Sequence, residues 1–171
     1  MRFLVISSTI ALALSVSAHA RAQPANTVVF DFEMVDTSLE GELHGVRTDE
    51  QARLKRVGDQ LRKGLAESDK FIIVDIAPVE AEALKSNLQA CGGCDVDLAQ
   101  RLGADLSITG TVQKVSNLIL NMNVYIHDVH TRQLVISMSA DFRGNSDESW
   151  SRAANYLLRN RLLAPDYGVH P

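Results

Sequence analysis

The sequence predicts a single α+β domain, because segments of two-residue and helical periodicity follow one another in the order β-α-β-α-α-β-β-β-α. The clearest part covers residues 103–150, where three successive stretches alternate apolar and polar residues. Since side chains alternate across a strand, this pattern predicts a C-terminal, three-stranded antiparallel meander with one core face and one solvated face. We therefore expect a mixed five-stranded sheet with helices packed mainly on one face.

The first predicted strand covers residues 27–35. Its apolar residues occupy every second position, which places them on one face of the strand; they are Val28, Phe30, Phe32 and Met34. Residues 36–46 are polar, contain two glycines and predict a loop. A helix is predicted over residues 49–67, because leucine and valine recur there at helical spacing.

The second half of the predicted fold continues with a short central strand over residues 71–76, which are rich in β-branched side chains. Pro78 suits the first position of a second helix that carries Leu84 on its apolar stripe. A third, short helix precedes the meander. After the meander, Ser146 or the residue before it caps a last helix, and Trp150 lies on the inward stripe of that helix.

The first twenty-two residues predict a secretory signal peptide. Arg2 supplies the positive n-region, and an apolar run follows over residues 3–16. Small residues precede two candidate cleavage points, after Ala20 and after Ala22. The apolar run is too short to span a bilayer. We therefore expect a periplasmic protein without a transmembrane segment in the mature chain.

The predicted mature chain covers residues 23–171, as one domain with an ordered core at about residues 27–163. Removal of residues 1–22 takes away two arginines and no acidic residue, which leaves 15 basic against 21 acidic residues and a net charge of −6. No basic stripe is present. Nucleic acid is therefore excluded as an expected partner, because its binding requires a positive surface.

Cys91 and Cys94 form a Cys-x-x-Cys motif before the third predicted helix. In an oxidising compartment, this spacing favours a static disulfide. A helix N-terminus can also stabilise a thiolate, so thiol–disulfide exchange or thiol–metal binding by this pair is the alternative. Two cysteines do not complete a tetrahedral zinc site, and no histidine stands at a ligand spacing from them. We predict no metal site and no cofactor.

Catalytic motifs are absent from the sequence, which has no Gly-x-Ser-x-Gly, no glycine-rich phosphate loop and no His-Glu-x-x-His. Asp31 and Glu33 lie on the polar side of the first predicted strand and could pair as acid and base. A solvated sheet face explains the two carboxylates more simply. We predict no catalytic residue and no enzyme activity.

A candidate partner-binding face follows the polar side of the second meander strand and the hairpin after it. Neutral hydrogen-bonding groups around one aromatic ring suit a protein or peptide surface. An ordinary solvated sheet face is the alternative. The residues of this predicted face are Asn121, Asn123, Tyr125, His127 and His130.

Two motifs carry a resemblance to a known group of domains. Gly-Ala-Asp at residues 103–105 ends a helix, and Ile-Thr-Gly-Thr-Val at residues 108–112 forms the next strand. With two amphipathic strands joined at residues 128–131 and a capped helix, they resemble the TolB N-terminal, CsgG and LpoB type of periplasmic domain. The stretch at residues 143–150 and the signal peptide resemble a secreted proteobacterial family of unknown function. The resemblance covers about residues 27–163 and implies a non-catalytic module that docks onto an envelope or periplasmic protein.

Overall fold

The computed structural model describes residues 23–164, so the predicted signal peptide lies outside the described part. Its elements confirm the α+β class. A π-helical turn at Leu158–Leu162 continues the last helix. In chain order the elements are β1 (Ala25–Val29), β2 (Glu33–Asp36), α1 (Leu39–His44), α2 (Thr48–Ala66), β3 (Phe71–Ile73), α3 (Glu80–Ala83), α4 (Cys94–Arg101), β4 (Leu106–Lys114), β5 (Ile119–Asp128), β6 (Leu134–Arg143) and α5 (Asp147–Leu157).

The sheet orders its strands β3-β1-β4-β5-β6, and β2 pairs with β4 beyond the end of β1. β1 runs parallel to β3 and β4, and β2 also runs parallel to β4. β4, β5 and β6 form an antiparallel meander. The mixed sheet and its C-terminal meander are therefore confirmed. The sheet has six strands because the predicted first strand consists of two, β1 and β2.

The break between β1 and β2 reverses the faces of the apolar side chains. Val28 and Phe30 belong to one hydrophobic cluster. Phe32 belongs to the cluster on the opposite face, and Met34 packs against that second cluster. The prediction that these four side chains share one face was therefore wrong.

The pairing register gives the physical reason for this reversal. On β4, Ile108 lies opposite Val29, and Thr111 lies opposite Glu33. Four steps along the first two strands thus correspond to three along β4. Because side chains alternate with a period of two, one extra residue moves all later side chains to the other face.

The larger hydrophobic cluster fills the space between one sheet face and the two longest helices, α2 and α5. Trp150 is its largest fully buried side chain, as its position on the predicted inward stripe requires. The ring packs edge-to-face on Phe142, with the ring centroids 6.1 Å apart. Its Nε1–H donates to Asn145 Oδ1 at 2.9 Å, so the indole is buried without an unpaired donor.

The smaller cluster covers the opposite face at the β1–β4 end of the sheet, where α3, α4 and their connection pack. The prediction that one face of the meander is solvated is therefore wrong for β4. Its residues Ser107, Thr109 and Thr111 on that face are buried under this cover. Beyond β4 the cover ends. The same face of β5 is half-buried, and the same face of β6 is exposed.

Three local predictions also differ from the structure. The strand predicted to be central, β3, lies at the edge of the sheet and pairs with β1. The predicted loop at residues 36–46 contains α1, because the Ser38 hydroxyl accepts the Gly41 N–H at 3.1 Å and caps that helix. The second predicted helix is reduced to the single turn α3, and Leu84, assigned to its apolar stripe, is exposed. The predicted cap of α5 is confirmed at Ser146, which accepts the Ser149 N–H.

Candidate functional site

The predicted partner-binding face lies on β5, on the side of the sheet away from α2 and α5. Asn121, Asn123, Tyr125 and His127 alternate along this strand and are half-buried there. The structure therefore brings four of the five predicted residues onto one surface. The fifth, His130, lies in the hairpin beyond the strand and is exposed.

Hydrogen bonds to the neighbouring strands hold the two asparagines. Asn121 Nδ2 donates to Asp141 Oδ1 of β6 at 2.7 Å. Asn123 Nδ2 donates to Thr111 Oγ1 of β4 at 3.4 Å. Both amides are thus oriented by the sheet, which lowers the conformational entropy that a partner must still remove on binding.

A buried carboxylate holds the imidazole of His127. His127 Nδ1 lies 2.9 Å from Asp95 Oδ2. The Ser107 hydroxyl donates to the same oxygen at 2.8 Å, and both Asp95 and Ser107 are buried. Because the carboxylate accepts, this geometry places a proton on Nδ1 and orients the ring.

These three side chains have the types of a catalytic triad but not its connections. In a triad the imidazole separates the hydroxyl from the carboxylate and takes the hydroxyl proton. Here the hydroxyl and the imidazole both bind the same carboxylate oxygen. Ser107 is also fully buried. The arrangement orients His127, and it does not activate Ser107 as a nucleophile.

A cleft of about 410 Å³ lies beside His127 and joins the two features that the sequence singled out separately. Tyr125 and His127 line one side. Gly92 and Gly93, the two residues between the cysteines, line another. We call this cavity the Tyr125 cleft. Because a loop and a strand face enclose it, a partner that enters the cleft contacts both.

Cys91 and Cys94 lie at the start of α4 with their sulfur atoms within bonding distance and their Cα atoms 5.8 Å apart. Gly92 and Gly93 between them have φ angles of 74° and 108°, a region that favours glycine. Within residues 23–164, no group of three or more His, Cys, Asp or Glu residues is arranged to hold a metal ion. The static disulfide stays a prediction that the geometry permits.

Two carboxylates with lowered pKa values lie at the hairpin between β5 and β6: Asp128 at the end of β5, and Asp105 just before β4. The hydrogen bond from the His130 ring lowers the pKa of Asp105, and the Asn26 N–H adds to the effect. The Thr131 N–H lowers the pKa of Asp128. Both groups are therefore ionised at neutral pH, and the hairpin presents negative charge next to His130.

Asp31 and Glu33, the sequence's candidate acid and base, bind separate partners. Asp31 Oδ1 lies 2.6 Å from the Arg62 guanidinium. Glu33 Oε1 accepts the Leu88 N–H at 2.7 Å. The pKa of Glu33 is raised, because burial disfavours its charged form. These contacts hold the chain where β1 changes into β2.

Sequence reasoning missed Asp95 and Gln89, which support the face from below. Asp95 and Ser107 orient His127. The Gln89 amide donates to Thr109, directly under the cleft. A simple antiparallel register does place Ser107 beside this face, and the structure pairs it with His127. Nothing in the sequence indicates that α4 brings Asp95 to the same place.

The fold is that of a known class of domain. The LpoB C-terminal domain from Salmonella enterica matches with a TM-score of 0.50 and 14% identity, over 74% of this chain and 87% of that one. Two further matches are lipoprotein GNA1162 from Neisseria meningitidis (TM-score 0.48, 16% identity, 81% of this chain and 96% of that one) and TolB from Acinetobacter baumannii (TM-score 0.41, 12% identity, 81% and 29%). The LpoB-like fold that the sequence motifs predicted is confirmed.

The chain belongs to the DUF3280 family, described as "Protein of unknown function (DUF2380)", whose model matches residues 25–162. No curated protein matches the sequence. In the described part of the chain, no helix has both the length and the apolar character needed to cross a membrane.

Proposed function

We propose that this chain is a soluble, non-catalytic interaction module of the periplasm, which binds an envelope or periplasmic protein through the β5 face and the Tyr125 cleft. The observation that supports this most is the arrangement of Asn121, Asn123, Tyr125 and His127 on one strand, β5. Three of these side chains are oriented by neighbours inside the fold. A pre-oriented polar surface around an aromatic ring suits protein recognition.

The way Asp95 is used supports a non-catalytic role. Its carboxylate binds both the Ser107 hydroxyl and the His127 imidazole. The Ser107 hydroxyl therefore donates to Asp95 and not to the imidazole that would have to act as its base. The LpoB-like fold agrees with the docking role that the sequence resemblance implies. Fold likeness alone does not identify a partner. The thiol-based alternative has no comparable support, and in residues 23–164 no metal-binding group surrounds Cys91 and Cys94.

Site-specific photo-crosslinking in cells tests this proposal. One variant carries p-benzoylphenylalanine in place of Tyr125, and a matched control carries it in place of Tyr156, an exposed tyrosine of α5 outside the face. We expect the first variant to crosslink to one periplasmic or envelope protein, identified by mass spectrometry, and the control not to do so.

Two outcomes would contradict the proposal. Identical crosslinked products at both positions would show that the β5 face is not selective. Turnover of a substrate by the pure protein, without any crosslink at Tyr125, would favour an enzyme instead.

A further inference from the structure

A second surface lies at β2, away from the Tyr125 cleft. β2 pairs with β4 on one side only. A groove of about 630 Å³ adjoins it, between α2 and the segment at residues 76–90. β3 lies beside β1 over Ala25–Thr27, and no strand continues this position beside β2 in the described residues. The sheet therefore has an open edge next to this groove.

The backbone at this edge is oriented for pairing. The Thr37 N–H donates to the Lys114 carbonyl at 2.9 Å, so Thr37 faces β4. Alternate residues of a strand point their backbone groups to the same side. Val35 therefore also faces β4, whereas the N–H and C=O of Met34 point away from β4. Free backbone groups at a strand edge are a template for another strand.

The walls of the groove come from both hydrophobic clusters. Leu54 and Met34 pack against the cluster under α2 and α5. Ala83 and Leu88 belong to the cluster on the opposite face. Successive side chains of a strand point to opposite sides. The side chains on one face of an added strand would therefore contact one cluster, and those on its other face would contact the second cluster. At the mouth of the groove, apolar surface of Val35, Val46 and Leu84 is exposed to water.

One carboxylate of the groove, that of Glu33, favours a basic residue in the occupant. Asp31 is already paired with Arg62. Glu33 is half-buried, accepts backbone hydrogen bonds from Leu88 and Gln89, and has no cation within 4.0 Å in the described part of the chain. When a carboxylate is removed from water and has no cation beside it, a cation supplied by a ligand stabilises it.

We propose that the free edge of β2 accepts an extended segment of a partner protein as an added strand, with alternating apolar residues and a lysine or arginine that pairs with Glu33. This mode of binding is strand addition, in which backbone hydrogen bonds provide affinity and side-chain pockets provide selectivity. The proposal does not depend on the Tyr125 cleft: crosslinking there can fail while peptide binding at β2 remains, and the reverse also holds.

Peptide selection on the purified chain tests this proposal. A phage-displayed heptapeptide library is selected on the wild-type chain and counter-selected on a Leu84→Asp variant. Leu118→Asp is the matched control, because Leu84 and Leu118 are 68% and 69% exposed and only Leu84 lines the groove. Both substitutions are therefore expected to leave the fold intact.

We expect enriched peptides that alternate apolar residues and contain lysine or arginine. A synthetic peptide of the most enriched sequence should bind the wild type and Leu118→Asp equally, and Leu84→Asp about tenfold more weakly, because burial of one leucine is lost. N-methylation of alternate peptide bonds should abolish binding, since it removes the backbone donors. Replacement of the basic residue by norleucine should weaken binding to the wild type but not to Glu33→Gln.

Several results would overturn the proposal. They are a library that yields no peptide selective for the wild type over Leu84→Asp, equal binding of the N-methylated peptide, and equal effects of the two leucine variants. Self-association that Leu84→Asp abolishes, measured by analytical ultracentrifugation, would assign the groove to a second copy of the chain instead.

Discussion

Lys114 is a fully buried cation at the end of β4, on the apolar side of the meander. Its Nζ lies 2.7 Å from Glu50, 2.9 Å from Glu40 and 3.4 Å from Asp36. Burial by itself would lower the pKa of Lys114, but hydrogen bonds to Glu50 and Glu40 outweigh it and raise the pKa. Lys114 is therefore charged, and it compensates a carboxylate, Glu50, that is also fully buried.

The Lys114→Met substitution is expected to destabilise the protein by about 3–5 kcal/mol, because it leaves Glu50 buried without a cation. Urea unfolding followed by circular dichroism measures the change in the free energy of unfolding. Lys63→Met, at an exposed position of α2, is the control and should change it by less than about 0.5 kcal/mol. Equal effects of the two substitutions would show that Lys114 is not structurally important.

Single side chains show where sequence reasoning reaches its limit. Lys114 follows Val112 at the same alternation, so the sequence does place a lysine on the inward face, and that mismatch is a usable signal for a buried ion pair. Its three acidic partners come from β2, α1 and α2 and cannot be found by periodicity. Asp95 is a similar case, because only the packing of α4 on β4 brings it to His127.

The secondary-structure elements were predicted best where one pattern persists over many residues. α2 and the strands of the meander follow unbroken periodicity and were found close to their observed bounds. The prediction of one continuous first strand was wrong, because the alternation of apolar residues continues through the break at Asp31. Only the register against β4 reveals the extra residue. The prediction of a solvated face on β4 was wrong for another reason. Serine and threonine are small enough to be buried when their hydroxyls find partners, as Ser107 does.

The loop that holds Cys91 and Cys94 permits a prediction at the scale of an element. Intact-mass measurement after thiol alkylation, without reductant, should show an unmodified chain, as expected for a disulfide. The double substitution Cys91→Ser, Cys94→Ser should lower the free energy of unfolding by about 2 kcal/mol, because it reopens a four-residue ring in the unfolded chain. A reduced control of the wild type should unfold at the same urea concentration as the double variant. Alkylation of both thiols in the untreated protein would contradict the disulfide.

At the scale of the whole molecule, the Lys114 cluster connects α1, which has no buried residue, to β2, β4 and α2. Asp36 ends β2, Glu40 lies in α1 and Glu50 in α2. The Asn145 amide, next to the cap of α5, donates to Glu50 Oε1 at 2.6 Å. The cluster therefore ties the edge with the strand-addition groove to α1 and to the cap of α5, and its ionisation should affect the stability of the entire domain.

The pH dependence of unfolding tests this connection. Asp36 and Glu40 have lowered pKa values. Burial alone would raise the pKa of Asp36, but hydrogen bonds from Ser38 outweigh this effect. The hydrogen bond from Lys114 lowers the pKa of Glu40. Their contribution is present above their ordinary pKa values of 3.8 and 4.5 and is lost as the pH falls below them. The raised pKa of Lys114 has the opposite sign, so its contribution is complete below 10.5 and is lost at higher pH.

We therefore expect the wild-type free energy of unfolding to change little with these groups between about pH 5 and pH 10, and to fall on both sides of that range. Urea unfolding at intervals between pH 3 and pH 11 measures the two curves, for the wild type and for Lys114→Met. The difference between the curves should be largest in the middle of the range and should shrink toward acid, because protonated carboxylates no longer need the cation. A difference that stays constant from pH 3 to pH 7 would mean that the methionine side chain changes stability through packing alone, and the electrostatic role of Lys114 would then be wrong.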